Sequence, residues 1–216
     1  MYKIVFTLRL LCLTLVVCLC TMGAVAQKAD ETSMVDGSKA YDELLSKVIR
    51  GDLTIDFKAF RHASVGRPNN ATGAADAKAY IAMVKALNDK NFKEAVRIAS
   101  EIQKTNFVDM NSHVVASMAY QGLGDAKKSK FHEGVYLGLI NSILNGGDGN
   151  STKTAYIVIS IAEEFALLDA LDLKRTSHSA ITEDGRKYDV LTVTDKKTNE
   201  TSKVYFNTDL VVKVKD

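Results

Sequence analysis

Two hydrophobic periods divide this chain. From Ser38 to Asn145 apolar residues return every three or four positions, the spacing of helices with one buried face; after Thr154 they form short β-branched runs or alternate with polar residues, the spacing of strands. The change predicts an α+β fold: a helical part over 38–145, then a small, mainly antiparallel sheet with one helix over 154–216. Tyr41, Leu44, Leu45 and Val48 mark a first helix, opened by Ser38 and stopped by Gly51. A second, over 56–65, carries Phe57, Phe60 and Ala63. The loop 66–73 follows, with the only proline, Pro68. The last long helix, 126–145, is capped by Asp125 and broken by Gly146-Gly147. Its Gly134 and Gly138, four residues apart, imply a close neighbour.

Inside the helical part the sequence repeats. Lys90-Asn91-Phe92-Lys93-Glu94-Ala95 aligns with Gly124-Asp125-Ala126-Lys127-Lys128-Ser129 at an offset of 34 (124 − 90), the period of tetratricopeptide helical hairpins. Tyr120 stands where the first helix of such a unit carries an aromatic, and Ala95 takes the small position early in the second. Only about two units are visible where roughly three are needed for a continuous core, so other parts of the chain must cover the ends. In this register the inner face presents Tyr80, Val84, Asn111, Val114 and Met118. That face is mostly apolar, unlike the Lys, Arg and Asn of peptide-clamping relatives, and it is expected to be buried beneath another part of the chain, or a partner, rather than to form an open clamp.

Beyond Thr154, the run from Ala155 to Ile159 reads as a buried strand. Ser160 and Glu163 form a capping box, and Phe165, Leu168 and Leu171 give the next helix its apolar face. Strands are predicted over 174–181, 188–194 and 203–208, with Val204 and Phe206 on a buried face and Lys203 and Tyr205 opposite.

The first residues follow another logic. Met1-Tyr2-Lys3 and Arg9 precede an uncharged stretch that ends Ala24-Val25-Ala26, the pattern of a cleaved export signal over 1–26, with a polar leader over 27–37. Cys12, Cys18 and Cys20, the only cysteines, lie within it, so the mature chain has neither disulfide nor cysteine nucleophile. Of 28 basic residues the signal removes Lys3 and Arg9, leaving 26 against 26 acidic (28 − 2). That neutrality argues against nucleic acid as a partner, and no spanning segment is expected after cleavage. The expected location is the periplasm or the cell surface.

Chemistry is sparse. His132-Glu133 opens like a zinc-protease helix, but Tyr136 occupies the second ligand position. His62, His113, His132 and His178 are scattered. Ser177, His178 and Ser179 fall in a strand, where neighbours face opposite sides and cannot act together. The loop from Gly146 to Thr154 has glycines and hydroxyls that could offer N–H groups to an anion, yet it lacks phosphate-loop and calcium-loop spacing. Glu163 and Glu164 head a helix, where capping and solvation explain them. No catalytic set, metal site or cofactor motif emerges. Arg61, Tyr80, Met118 and Asp148 remain as candidate binding residues.

Arg61-His62, Ser142-Ile143-Leu144, Gly147-Asp148-Gly149, Thr154-Ala155-Tyr156, Val158-Ile159-Ser160, Glu164-Phe165, Tyr188-Asp189-Val190-Leu191 and Tyr205-Phe206-Asn207 together resemble the bacterial family known as domain of unknown function 4919. The resemblance runs from about Tyr41 to Thr208. It implies an envelope protein with an export signal and helical repeats, from a family found largely in Bacteroidetes, and it assigns no catalytic role. The expected function is a non-catalytic interaction module with a protein partner. The alternative is a small-ligand receptor or enzyme sited near the loop from Gly146 to Thr154.

Overall fold

The computed structural model describes residues 37–65, 67 and 74–211; the segment predicted as an export signal, and nearly all of the predicted leader and of the loop 66–73, lie outside them. The chain divides after Ala40 into two compact units, and of the first only 37–40 is described, as the opening turn of helix α1 (37–49). There follow α2 (Phe57–Ala63), α3 (Ala74–Asn88), α4 (Phe92–Thr105), α5 (Met110–Gly122) and α6 (Ala126–Leu144), then a 3-10 turn at Thr152–Thr154. Strand β1 (Tyr156–Ile157), helix α7 (Ile161–Ala170) and strands β2 (Leu173–Glu183), β3 (Arg186–Asp195) and β4 (Thr201–Asn207) complete the α+β fold that the change of period predicts.

The 34-residue offset has a backbone counterpart. Lys90 and Gly124 both take left-handed φ values, 58° and 78°. Each closes the helix before it in the same way: Lys90 N–H donates to Leu87 O and Asn91 N–H to Ala86 O, as Gly124 does to Gln121 O and Asp125 to Tyr120 O. Asn91 and Asp125 then cap the next helix, their Oδ1 atoms accepting from Glu94 N and Lys128 N. One residue thus ends one helix and begins the next. Turns this short make consecutive helices antiparallel neighbours, and α3 to α6 pack in sequence order.

Two apolar clusters hold the large unit. Met83, Ala95, Ile98, Ala99, Val115 and Ala119 form the smaller one, between α3, α4 and α5. The larger joins Tyr41, Val48, Phe57 and Phe60 to Leu139 and Ile143 of α6, Leu167 of α7, and Leu191, Val193 and Phe206 of the sheet. The spacing of Gly134 and Gly138 is explained here. A Cβ on Gly134 would lie 2.5 Å from Leu53 Cδ1, and one on Gly138 would lie 2.3 Å from the Phe57 ring. Among the described residues no helix is long and apolar enough to cross a membrane.

The sheet order is β1-β4-β3-β2, with β1 parallel to β4 and the other pairs antiparallel. The strands outrun their predicted ends because Asp184 and Gly185, both at positive φ, make a two-residue hairpin that lets Glu183 pair with Arg186. β1 is shorter than the apolar run suggested, since α7 starts at Ile161. The apolar face predicted for that helix also needs correction: Phe165 is 39% exposed, while Ala166, Leu167 and Leu168 are buried together with Glu163 and Glu164.

Gly138→Ala should destabilise the protein by about 1–3 kcal/mol, because the overpacking against Phe57 outweighs the helix propensity that alanine adds, about 1 kcal/mol. Urea unfolding of the two forms measures the difference, and a more stable alanine variant would contradict the close packing.

Candidate functional site

Arg61 is held by α2, whose first turn is fixed by Asp56 accepting from Ala59 N. Its guanidinium is 1% exposed and forks onto one carboxylate, with Nε 2.8 Å from Glu163 Oε1 and Nη2 on Oε2. Nη1 donates to Ser142 Oγ and Nη2 also to Ile157 O, each at 3.1 Å. Glu163 Oε2 accepts from Ile159 N as well. Four elements, α2, α6, β1 and α7, meet at one ion pair. Glu163 is therefore a buried partner and not the solvated cap that its position in the first turn suggested, although Ser160 caps α7 as expected.

Asp148 is exposed and serves its own loop. Its Oδ1 accepts from Asn150 N, while Asp148 N and Gly149 N both donate to Thr154 O. Gly149 O accepts from Tyr205 N, so the loop clamps β4. Gly147 is needed there, since a Cβ would lie 2.2 Å from Thr154 O. Three amides that could have met an anion are thus engaged internally. Tyr80 and Met118 instead reach the surface, 39% and 52% exposed, with Ile81 at 66%. Of the residues predicted on that helical face, Val84 and Val114 pack against the smaller apolar cluster, while Tyr80 and Met118 are left uncovered by the described residues. Among the described residues nothing brings Arg61, Asp148 and a histidine together.

The histidines are less scattered than their positions suggested. His113 and His132, from α5 and α6, face each other with Nδ1 atoms 3.0 Å apart, and His113 Nε2 lies 2.8 Å from Phe107 O. A carbonyl can only accept, so His113 carries its proton on Nε2 and accepts on Nδ1, and His132 donates from Nδ1. Burial holds His113 at a pKa of about 3 and His132 at about 4, against an ordinary 6.5. Tyr120 stacks on His132 and Phe131 meets it edge-on. The pair fills the seam between α5 and α6 as neutral rings. Sequence reasoning could have found it, because the two residues lie on antiparallel helices on either side of the Gly124 turn, roughly three turns before it and two after.

A second polar group lies where α7 crosses the sheet. Glu164, 2% exposed, faces Asp189 of β3; burial first, then the charge and hydrogen bond of Asp189, push its carboxyl up to about 8. Glu164 Oε1 finds no donor as an ionised oxygen. A protonated Glu164 resolves this by donating to Asp189. Asp189 Oδ1 also meets His178 Nε2 at 3.1 Å, and His178 is 43% exposed. The result is a chain from a buried carboxylic acid through a carboxylate to an open imidazole. Arg175 lies beside it, its guanidinium 4.8 Å over the Phe165 ring. Sequence reasoning missed this group, since its members come from three elements whose pairing only the fold sets. Among the described residues no cluster of three or more His, Cys, Asp or Glu could hold a metal ion.

Removing one side of the buried ion pair, as in Arg61→Met, should cost about 3–5 kcal/mol, and Arg61→Met with Glu163→Leu should recover most of it. A double-mutant cycle in urea reads this; additive losses would contradict it. Stability should also peak near pH 6.5. Below that pH the unfolded chain protonates two histidines that the fold keeps neutral, while raised Glu164 favours the fold down to 4.5. Two protons against one leave a net loss of roughly 1.4 kcal/mol per unit of acidification, to which His62, lowered by burial as well, adds. Above 6.5 Glu164 alone acts, and its stabilisation is lost as pH rises toward 8. Glu164→Gln should abolish the alkaline limb and keep the acid one, with urea unfolding at pH 5, 6.5 and 8 as the check.

The chain belongs to the family described as domain of unknown function 4919, which matches residues 24–216. No curated protein and no solved structure matches it.

Proposed function

We propose that this member of the family is an exported, non-catalytic binding module of the bacterial cell envelope, which docks a protein partner on the outer face of α3 and α5. The observation that carries the reading is the exposure of Tyr80, Ile81 and Met118 on helices whose other sides are packed. Large apolar side chains left in water on neighbouring helices favour an apolar partner surface. The 34-residue repeat supports a tetratricopeptide-like stack, an architecture that offers extended binding faces. Asp109 and Asp169 lie close enough to Tyr80 to act on its phenol, so the segment that fits is apolar with basic flanks. Export rests on the positive start, apolar run and Ala24-Val25-Ala26 of the leader. A small-ligand or enzymatic site at the loop from Gly146 to Thr154 is less favoured, because Asp148, Gly149 and Asn150 already spend their amides within the loop.

Crosslinking pull-downs from the native envelope would compare the wild type with Met118→Glu and with Asp148→Asn, after circular dichroism has verified that each folds. A charge in the centre of an apolar contact should reduce capture about tenfold or more in Met118→Glu and leave Asp148→Asn unchanged. Equal capture by both variants, or no captured protein, overturns the reading.

A further inference from the structure

The polar group at the edge of the sheet is arranged to hold something. β2 and β3 pair regularly except at Thr176, where the register shifts between Arg175 and Ser177. Without that bulge Arg175 and His178, three apart, would point to opposite faces. With it Arg175 pairs with Val193 and His178 with Leu191, and since Val193 and Leu191 are alternate residues of β3, both side chains share the face on which α7 lies. Asp189 is on the same face, and Glu164 and Phe165 meet it from α7.

Arg175 is set in position beside Glu164, whose ionised form its charge favours, partly offsetting the effect of burial and of Asp189. Its guanidinium lies 4.8 Å over the Phe165 ring and makes no hydrogen bond or ion pair among the described residues. His178 gives Nε2–H to Asp189, so a carboxylate can be met at Nδ1 only by the protonated ring, whose Nδ1–H is left over. The anionic groups facing this spot are Asp189, which His178 and Glu164 share, and Glu164 itself.

We propose that Arg175 and His178 form a recognition site for a small carboxylate-bearing molecule, gripped by the guanidinium fork and by the His178 ring, with Asp189 as the residue that positions the imidazole. A planar carboxylate matches the fork in two parallel hydrogen bonds. Glu164 governs the range over which the site works. While it carries a proton the carboxyl pair holds one negative charge; once that proton leaves, two carboxylates face the ligand and repel it. The raised Glu164 pKa, about 8, puts that change just above neutrality. The site shares no residue with the α3–α5 face and stands independently of the protein partner.

Succinate is the probe, titrated into the purified protein and followed by the side-chain NMR signals of Arg175 and His178, with sodium chloride at matched ionic strength as control and inorganic phosphate in parallel. Succinate should shift both signals saturably at pH 6.5, and Arg175→Ala and His178→Ala should each weaken binding about tenfold or more. Lys197→Ala, a charge change elsewhere on the sheet, should leave it unchanged. At pH 9 the wild type should lose binding while Glu164→Gln keeps the part that Arg175 supplies, a rescue that a merely structural Glu164 would not give. Shifts reproduced by chloride, binding of phosphate without succinate, or undiminished affinity in Arg175→Ala would each overturn the proposal.

Discussion

A guanidinium buried to 1% exposure is tolerable only if every donor edge finds an acceptor, and that constraint fixes the centre of this protein. Arg61 meets it with Glu163, Ser142 and the Ile157 carbonyl, which come from three different elements. None of the three can shift much without leaving a charge or a dipole unpaired in the core. The pair thus does less for net stability than for specificity: it admits one arrangement of α2, α6, β1 and α7. Glu163 also sets the start of α7, and through α7 the place of Glu164 over the sheet.

The neighbouring glutamates show how one helical turn supports two kinds of burial. Glu163 is matched by the full opposite charge of Arg61. Glu164, one residue on, faces another carboxylate and a largely apolar surround, and keeps its proton instead. The histidine pair between α5 and α6 solves the same problem a third way, by remaining neutral and dividing donor and acceptor roles between two rings.

Periodicity carried the architecture well. The change from helical to alternating spacing, the caps at Asp125 and Ser160, the shared turn geometry at Lys90 and Gly124, and the close approach at Gly134 and Gly138 are local or nearly local effects, and local effects can be read from a sequence. What it did not disclose were pairings between distant residues. Glu163 and Glu164 resemble any acidic first turn until the fold places Arg61 against one and Asp189 against the other. Arg175 and His178 appear to lie on opposite faces, because a bulge cannot be counted from alternation alone. Tyr80 and Met118 looked like core for the opposite reason: an apolar stripe says that burial is favourable, not that this chain supplies the cover.

Two packing scales coexist along the chain, and they bear on the order in which the molecule can be built. The cluster of α3, α4 and α5 draws on residues from Met83 to Ala119, close neighbours in sequence, so it can assemble as soon as that stretch has left the ribosome. Arg61 is made earlier than any of it, yet its carboxylate partner lies 102 residues further on. During synthesis Arg61 therefore waits, hydrated, while a helical subassembly matures between it and Glu163. The charge can leave water for its partner only after α7 has been made, and a nascent chain halted short of α7 has no Glu163 to receive it.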